Sequence, residues 1–237
     1  MNQTLSIKVR KAEDRGKANF GWLDSKHSFS FGEYYDPNHM GFRSLRVIND
    51  DHVSAGQGFG SHPHKNMEIF SYVIDGQLKH EDSLGNGRTI QAGEFQYMSA
   101  GSGIMHSEFN PADETAHFLQ IWIQPKELGG TPRYAELDSK QLDHTQDLVL
   151  FASADGRDNS IQIRQNADIY FGKIAKDATS TLGKSDYSGT WIQMIKGELL
   201  IENELLSPGD GASIENAKQD LTLEAKADSE FLLFRLQ

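Results

Sequence analysis

The chain has 237 residues, 37% of them hydrophobic, a net charge of −11 and no cysteine. The length fits one large domain or two ordinary ones, and the missing cysteines exclude disulfides, zinc fingers, iron–sulfur clusters and thiol redox switches. No apolar run approaches the roughly 18 residues of a spanning helix, and an acidic balance without a Lys/Arg cluster disfavours direct contact with nucleic acid while leaving a protein partner open.

The opening Met1-Asn2-Gln3-Thr4-Leu5-Ser6 has no charged-then-apolar signal pattern, so a cytoplasmic protein, taken as a monomer, is the expectation. Irregular or one-turn structure is expected over the first twenty residues and over residues 134–142. The next informative stretch is Gly56-Gln57-Gly58-Phe59-Gly60-Ser61-His62-Pro63-His64. It is not a phosphate loop, because no Gly-Lys-Ser/Thr follows. Its two histidines are spaced i, i+2, and on a strand such residues share a face.

Residues 69–74 are aromatic and β-branched and end at the turn Asp75-Gly76. A run from Gln77 to Asp82 precedes Leu84-Gly85-Asn86-Gly87, a hairpin signal. Then come Thr89-Ile90, the turn Ala92-Gly93, and Phe95 to Met98. Gly101-Ser102-Gly103-Ile104-Met105-His106-Ser107-Glu108 supplies a second i, i+2 pair of potential ligands. His117 to Ile123 alternates as a half-buried strand does. Short strands separated by glycine turns predict a sandwich or barrel.

From Pro125 the chain turns polar and is punctuated by Gly129, Gly130 and Pro132, then strands resume at Leu148. The expected division is an N-terminal domain at 1–130 carrying the chemistry, a connector at 131–146, and a C-terminal domain at 147–237. Lys196-Gly197-Glu198 and Ser207-Pro208-Gly209-Asp210 resemble Asp75-Gly76-Gln77 and Gln91-Ala92-Gly93-Glu94, so the second half reads as a worn copy of the first. All nine histidines lie at or before His144. The second half therefore cannot repeat a histidine site.

Two strands facing each other across a barrel would aim His62, His64, His106 and Glu108 at one point. Three imidazoles and one carboxylate suit a divalent first-row transition ion. Glu68 is a candidate to hydrogen-bond a ligand histidine. Gln120 is read as a plain strand amide, the other histidines as isolated surface or structural residues, and Trp22, Trp122 and Trp191 as core anchors. Phe29, Phe31, Tyr34, Tyr35 and Phe42 cluster in sequence, with core packing the expected role. No Gly-x-Ser-x-Gly is present, and no serine triad is argued.

Gly56-x5-His62-x-His64-x3-Glu68 with Gly76 resembles the first cupin motif, and Gly93, Gly101, Gly103, His106 and Asn110 resemble the second. The usual proline before the second-motif histidine is absent, and Glu68 stands one residue early, which turns its side chain to the other face of a regular strand. His-Pro-His, the shifted glutamate and His-x-Glu together are similar to the pirin family. So are Arg15-Gly16-x5-Trp22-Leu23-Asp24, His27-Ser28-Phe29-Ser30-Phe31, Tyr35-Asp36-Pro37 and Leu45-Arg46-Val47-Ile48-Asn49-Asp50-Asp51.

The resemblance implies an all-β bicupin, two tandem antiparallel barrels, with His62, His64, His106 and Glu108 as the four metal ligands. It implies iron(II), although manganese, cobalt, nickel, copper or zinc fit the same ligands. It also implies a quercetin 2,3-dioxygenase that opens a flavonol heterocycle with dioxygen and releases carbon monoxide. Glu108 is the ligand able to accept the flavonol proton. Two other readings stand beside this one. The first is a metal-containing regulatory protein, a transcription cofactor or modulator of a metabolic enzyme with incidental turnover. The second is a non-catalytic small-molecule sensor or storage protein.

Overall fold

The computed structural model describes residues 5–217 and 219–237, and the opening residues Met1 to Thr4 lie outside them. The described residues form strands and three single 3-10 turns, with no α-helix. This is the all-β fold that the short glycine-bounded runs predict, and among the described residues no helix is long and apolar enough to cross a membrane.

The chain divides into two units, each with a seven-stranded and a four-stranded sheet. In the first unit the large sheet runs in the order Arg133–Asp138, Glu94–Ser99, Glu68–Asp75, Ala116–Ile123, Leu45–Val53, Leu23–His27, Gly16–Asn19. Its small sheet runs Gly58–His64, Ile104–Phe109, Gln77–Asp82, Gly87–Gln91. All of these pairings are antiparallel. In the second unit the large sheet is ordered Ser6–Arg10, Gly211–Glu215, Gly189–Lys196, Ser229–Leu236, Ala167–Ile174, Leu148–Ser153, Ile161–Gln162. There the last pair is parallel. The same seven-plus-four plan occurs twice, as the internal similarity of the turns suggests.

The unit boundaries differ from 1–130, 131–146 and 147–237. The segment through Arg15 belongs to the second unit, and Ile163–Gln165 to the first. Ser6–Arg10 completes the second unit's sheet edge against Gly211–Glu215, and Lys11 Nζ meets Asp210 Oδ2 at 2.9 Å. The expected connector contains a strand, Arg133–Asp138, paired along its whole length with Glu94–Ser99. The physical reason is common to these cases. An edge strand is defined by the backbone partner that satisfies it, and here each partner is remote in sequence.

Burial explains which face of each strand matters. In Leu45–Val53 the residues Leu45, Val47, Asn49, Asp51 and Val53 are buried, while Arg46, Asp50 and His52, on the opposite face, are only partly so. Leu23, Val53, Val73, Leu78, Ile90, Ala116 and Phe118 form an apolar cluster of the first unit. Asn49 and Asp51 share their inward face with these apolar residues, so polar groups intrude on an otherwise hydrophobic interior.

Candidate metal centre

The strands that carry the two candidate ligand pairs are hydrogen-bonded neighbours, not strands facing each other across a barrel. They bring His62, His64 and His106 together, whereas Glu108 groups within the same spacing with His106 and His80 and not with the whole triangle. Gly58–His64 and Ile104–Phe109 are adjacent in the small sheet, with His106 directly opposite His62 and Ile104 opposite His64. The register then shifts between His106 and Glu108, so that Glu108 comes opposite Phe59. Gly58 makes this approach possible. A Cβ there would lie 2.3 Å from the Glu108 carbonyl oxygen and 2.6 Å from the Phe109 Cα.

The three imidazoles form a compact triangle. Ring centroids are 4.8 Å apart for His62 and His64, 4.4 Å for His62 and His106, and 4.7 Å for His64 and His106. Their ligand atoms lie within 4.8 Å of one another. Trp122 meets the His64 ring edge-on at 4.9 Å, so this tryptophan helps to wall the centre as well as anchor the core.

Hydrogen bonds select the tautomers. His62 Nδ1 lies 2.7 Å from the Gly60 carbonyl oxygen, which accepts only a proton, so Nδ1–H donates and Nε2 keeps its lone pair. Behind His106 stands a chain that residue spacing did not reveal. His106 Nδ1 meets His80 Nδ1 at 3.4 Å, and His80 Nε2 meets Asp82 Oδ2 at 3.4 Å. With the Asp82 carboxylate accepting from His80, the His80 Nδ1 becomes the acceptor for His106 Nδ1–H. His106 Nε2 is then an unprotonated nitrogen, buried and, among the described residues, without a hydrogen-bond partner. A buried lone pair of this kind is costly unless something electropositive meets it. The residues therefore fit a metal ion.

Electrostatics point the same way. Burial, reinforced by His106 and His62, pushes His64 down to about 4, and burial with His62 and His80 pushes His106 down to about 3. Both rings are neutral at neutral pH, the form that binds metal.

Glu108 is buried and doubly held. Ser71 Oγ donates to its Oε1 at 2.8 Å and Gln120 Nε2 to its Oε2 at 2.6 Å. Gln120 is thus a carboxylate clamp, more than a strand amide. Glu68 takes no part in the centre. It is buried and accepts from Tyr97 Oη at 2.5 Å, Ser99 Oγ at 2.6 Å and the Arg164 backbone N–H at 2.9 Å. Its one-residue displacement from the usual cupin position sends it into this separate network. Of the histidines read as isolated, His52 and His117 stack at 3.9 Å on the outer strand face, with His117 Nε2 at 2.6 Å from Asp50 Oδ1.

His62, His64, Glu108, Gln120 and Trp122 line a cavity of about 570 Å³, within the range of small-molecule sites. Phe31, Tyr34 and Phe59 supply flat aromatic wall. Two of the clustered aromatics, Phe31 and Tyr34, therefore face the cavity, whereas Tyr35 is 71% exposed. Ser25, His27, Asn49 and Asp51 add a polar strip that sequence reasoning missed. Burial, together with the charges of Asp50 and Glu108, pushes Asp51 up to about 7 against the hydrogen bond from Ser25.

The chain is similar to known proteins over nearly its whole length. The pirin family profile matches residues 8–123, and a profile described as the quercetinase C-terminal cupin domain matches residues 150–236. A quercetin 2,3-dioxygenase of Escherichia coli K12 is 49% identical over 231 residues, covering 97% of this chain and 98% of that protein. A pirin-like protein of Caulobacter vibrioides is 42% identical, covering 94% of this chain and 97% of its own length. The crystal structure of the E. coli bacterial pirin YhhW in complex with nickel(II) superposes with a TM-score of 0.92 at 49% identity, covering 98% of this chain and 99% of that one.

Proposed function

The chain belongs to the pirin family, and on that premise we propose that it is a metal-dependent quercetin 2,3-dioxygenase. It opens the heterocycle of a flavonol with dioxygen and releases carbon monoxide. The observation that carries this reading is the buried, unpartnered His106 Nε2 within a triangle of imidazoles, beside an aromatic-walled cavity. The nickel complex of the E. coli relative supports a divalent ion in such a protein.

His62, His64, His106 and Glu108 would hold the ion, for which iron(II) is the proposed native identity. Three neutral imidazoles and one carboxylate leave a divalent ion one unit positive, which favours a flavonol bound as its anion. When bound, the ion supplies Lewis acidity and electron-transfer chemistry toward dioxygen. The chain's own residues do the rest. Glu108 accepts the proton of the flavonol hydroxyl on a carboxylate oxygen. Ser71 and Gln120 hold that carboxylate in place beside the cavity. Phe31, Tyr34, Phe59 and Trp122 orient a planar guest and keep water from the reacting ring.

The test is to add flavonol to the iron-loaded protein in air, following loss of its visible absorbance together with carbon monoxide release. Many turnovers per chain support the dioxygenase. Stoichiometric binding without decay returns the protein to the regulatory or sensor readings.

A further inference from the structure

Asp51 is a carboxylate the metal chemistry does not use. It faces Ser25 directly across the strand pair Leu23–His27 and Leu45–Val53, and His27 faces Asn49 in the same register. All four side chains are at least nine-tenths buried: Ser25 2%, His27 4%, Asn49 3% and Asp51 3% exposed. All four line the cavity that contains the ligand residues His62, His64 and Glu108.

The strip is built as two short hydrogen-bonded pairs. Ser25 Oγ donates to Asp51 Oδ1, and His27 Nδ1 meets Asn49 Oδ1 at 2.7 Å. An ionised carboxylate offers roughly four acceptor positions, yet Asp51 has one side-chain donor among the described residues. Its neighbours on the same strand face are Leu45, Val47 and Val53, residues a barrel interior would favour here too. A buried acceptor so poorly supplied with donors costs stability, and burial, with the neighbouring charges of Asp50 and Glu108, raises the proton affinity of Asp51. A guest bearing an O–H would supply the missing donor.

We propose that Asp51, backed by Ser25, accepts a second phenolic hydroxyl of the substrate, so that the cavity selects polyhydroxylated aromatic guests over those with only the metal-directed hydroxyl. The inference rests on the flavonol reading and narrows its substrate class. Phe31 and Tyr34 sit beside the strip in the same cavity, and Tyr34 stacks on His27 at 6.3 Å, so a ring carrying the second hydroxyl has an aromatic surface to lie against.

The experiment uses the metal-loaded full chain and two flavonols of identical heterocycle, one with hydroxyls on its other rings and one without. Assayed at pH 8, where Asp51 is ionised, the parent should show a KM lower by roughly 10–100-fold for the hydroxylated flavonol, the value of one hydrogen bond to a charged acceptor. Asp51→Val should raise that KM to the level of the bare flavonol, leaving the bare flavonol's KM and the metal content unchanged. Should the valine variant not fold, Asp51→Asn, which keeps shape but weakens the acceptor, should give part of the same selective loss. Equal losses for both flavonols, or none for either, would overturn the proposal. A parent that turns over both without preference overturns it while leaving the dioxygenase intact. A parent that neither binds nor turns over any flavonol overturns the dioxygenase reading and the subsite with it.

Discussion

Gln120 donates from Nε2 to Oε2 of Glu108 at 2.6 Å. The two residues lie on strands of different sheets, Ala116–Ile123 and Ile104–Phe109, so this bond ties the proposed ligand carboxylate to the large sheet. Gln120 in turn stands directly opposite Ser71 and Asn49 in the register, and Ser71 holds the other Glu108 oxygen. One row of inward side chains thus fixes the carboxylate and continues to the Asp51 strip. Removing the donor should loosen the ion. Gln120→Leu should weaken metal affinity by about 10–100-fold, the usual effect of losing an outer partner of a ligand. Competition against a chelator of known affinity measures this, and an unchanged affinity would mean the clamp has no hold on the centre.

Glu108→Gln separates ligation from proton transfer. The carboxamide keeps the size and one carbonyl oxygen but loses most of the basicity. Much of the metal should remain while flavonol turnover falls by about 10²–10⁴-fold. Metal analysis beside steady-state kinetics reads both. A variant with full metal and the parent rate would make the carboxylate structural, with the proton leaving by another route.

Glu68 should behave oppositely. Its three donors, Tyr97 Oη, Ser99 Oγ and the Arg164 N–H, are orphaned in Glu68→Ala, at about 1–3 kcal/mol for each buried group left unsatisfied. The expected result is a Tm lower by roughly 5–15 °C with unchanged metal stoichiometry when folded. Loss of metal without loss of stability would restore Glu68 to the centre.

The pH dependence of stability should carry the signature of Asp51. Its pKa is raised from 3.8 in the unfolded chain to about 7 in the folded one. Between these values the folded form holds a proton that the unfolded chain has released, so this group's contribution to stability declines as pH rises through the window. Above about 7 both forms are ionised and the loss is complete. Asp51→Asn removes the titration, so its Tm should exceed the parent's by at least about 2 °C at pH 8, with the difference closing toward pH 4. A Tm difference that does not vary with pH would show that Asp51 is not held in its raised state.

Much of this was legible in the chain because it depends on local spacing. His62 and His64, and His106 and Glu108, are i, i+2 pairs, and strand geometry alone puts each pair on one face. The doubling of the fold showed in its repeated turns. What was not legible depends on partners remote in sequence. His80 gains meaning only from its place beside His106, 26 residues on. Gln120 gains it from Glu108, and Asp51 from Ser25, also 26 residues away. The His80-x-Asp82 spacing was a usable signal, since it too is an i, i+2 pair. The pairing of Ser6–Arg10 with Gly211–Glu215 had no local signal at all, because a strand edge does not encode which distant segment will satisfy it.

One ion, held by His62, His64, His106 and Glu108, is proposed to make this chain a flavonol dioxygenase. The most direct measurement is to titrate metal-free protein anaerobically with ferrous iron, then admit air and flavonol and record the initial rate of absorbance loss at each ratio. The rate should rise linearly and break at one equivalent of iron per chain. A rate already present without metal, or one that never rises above the background of free iron, would contradict it.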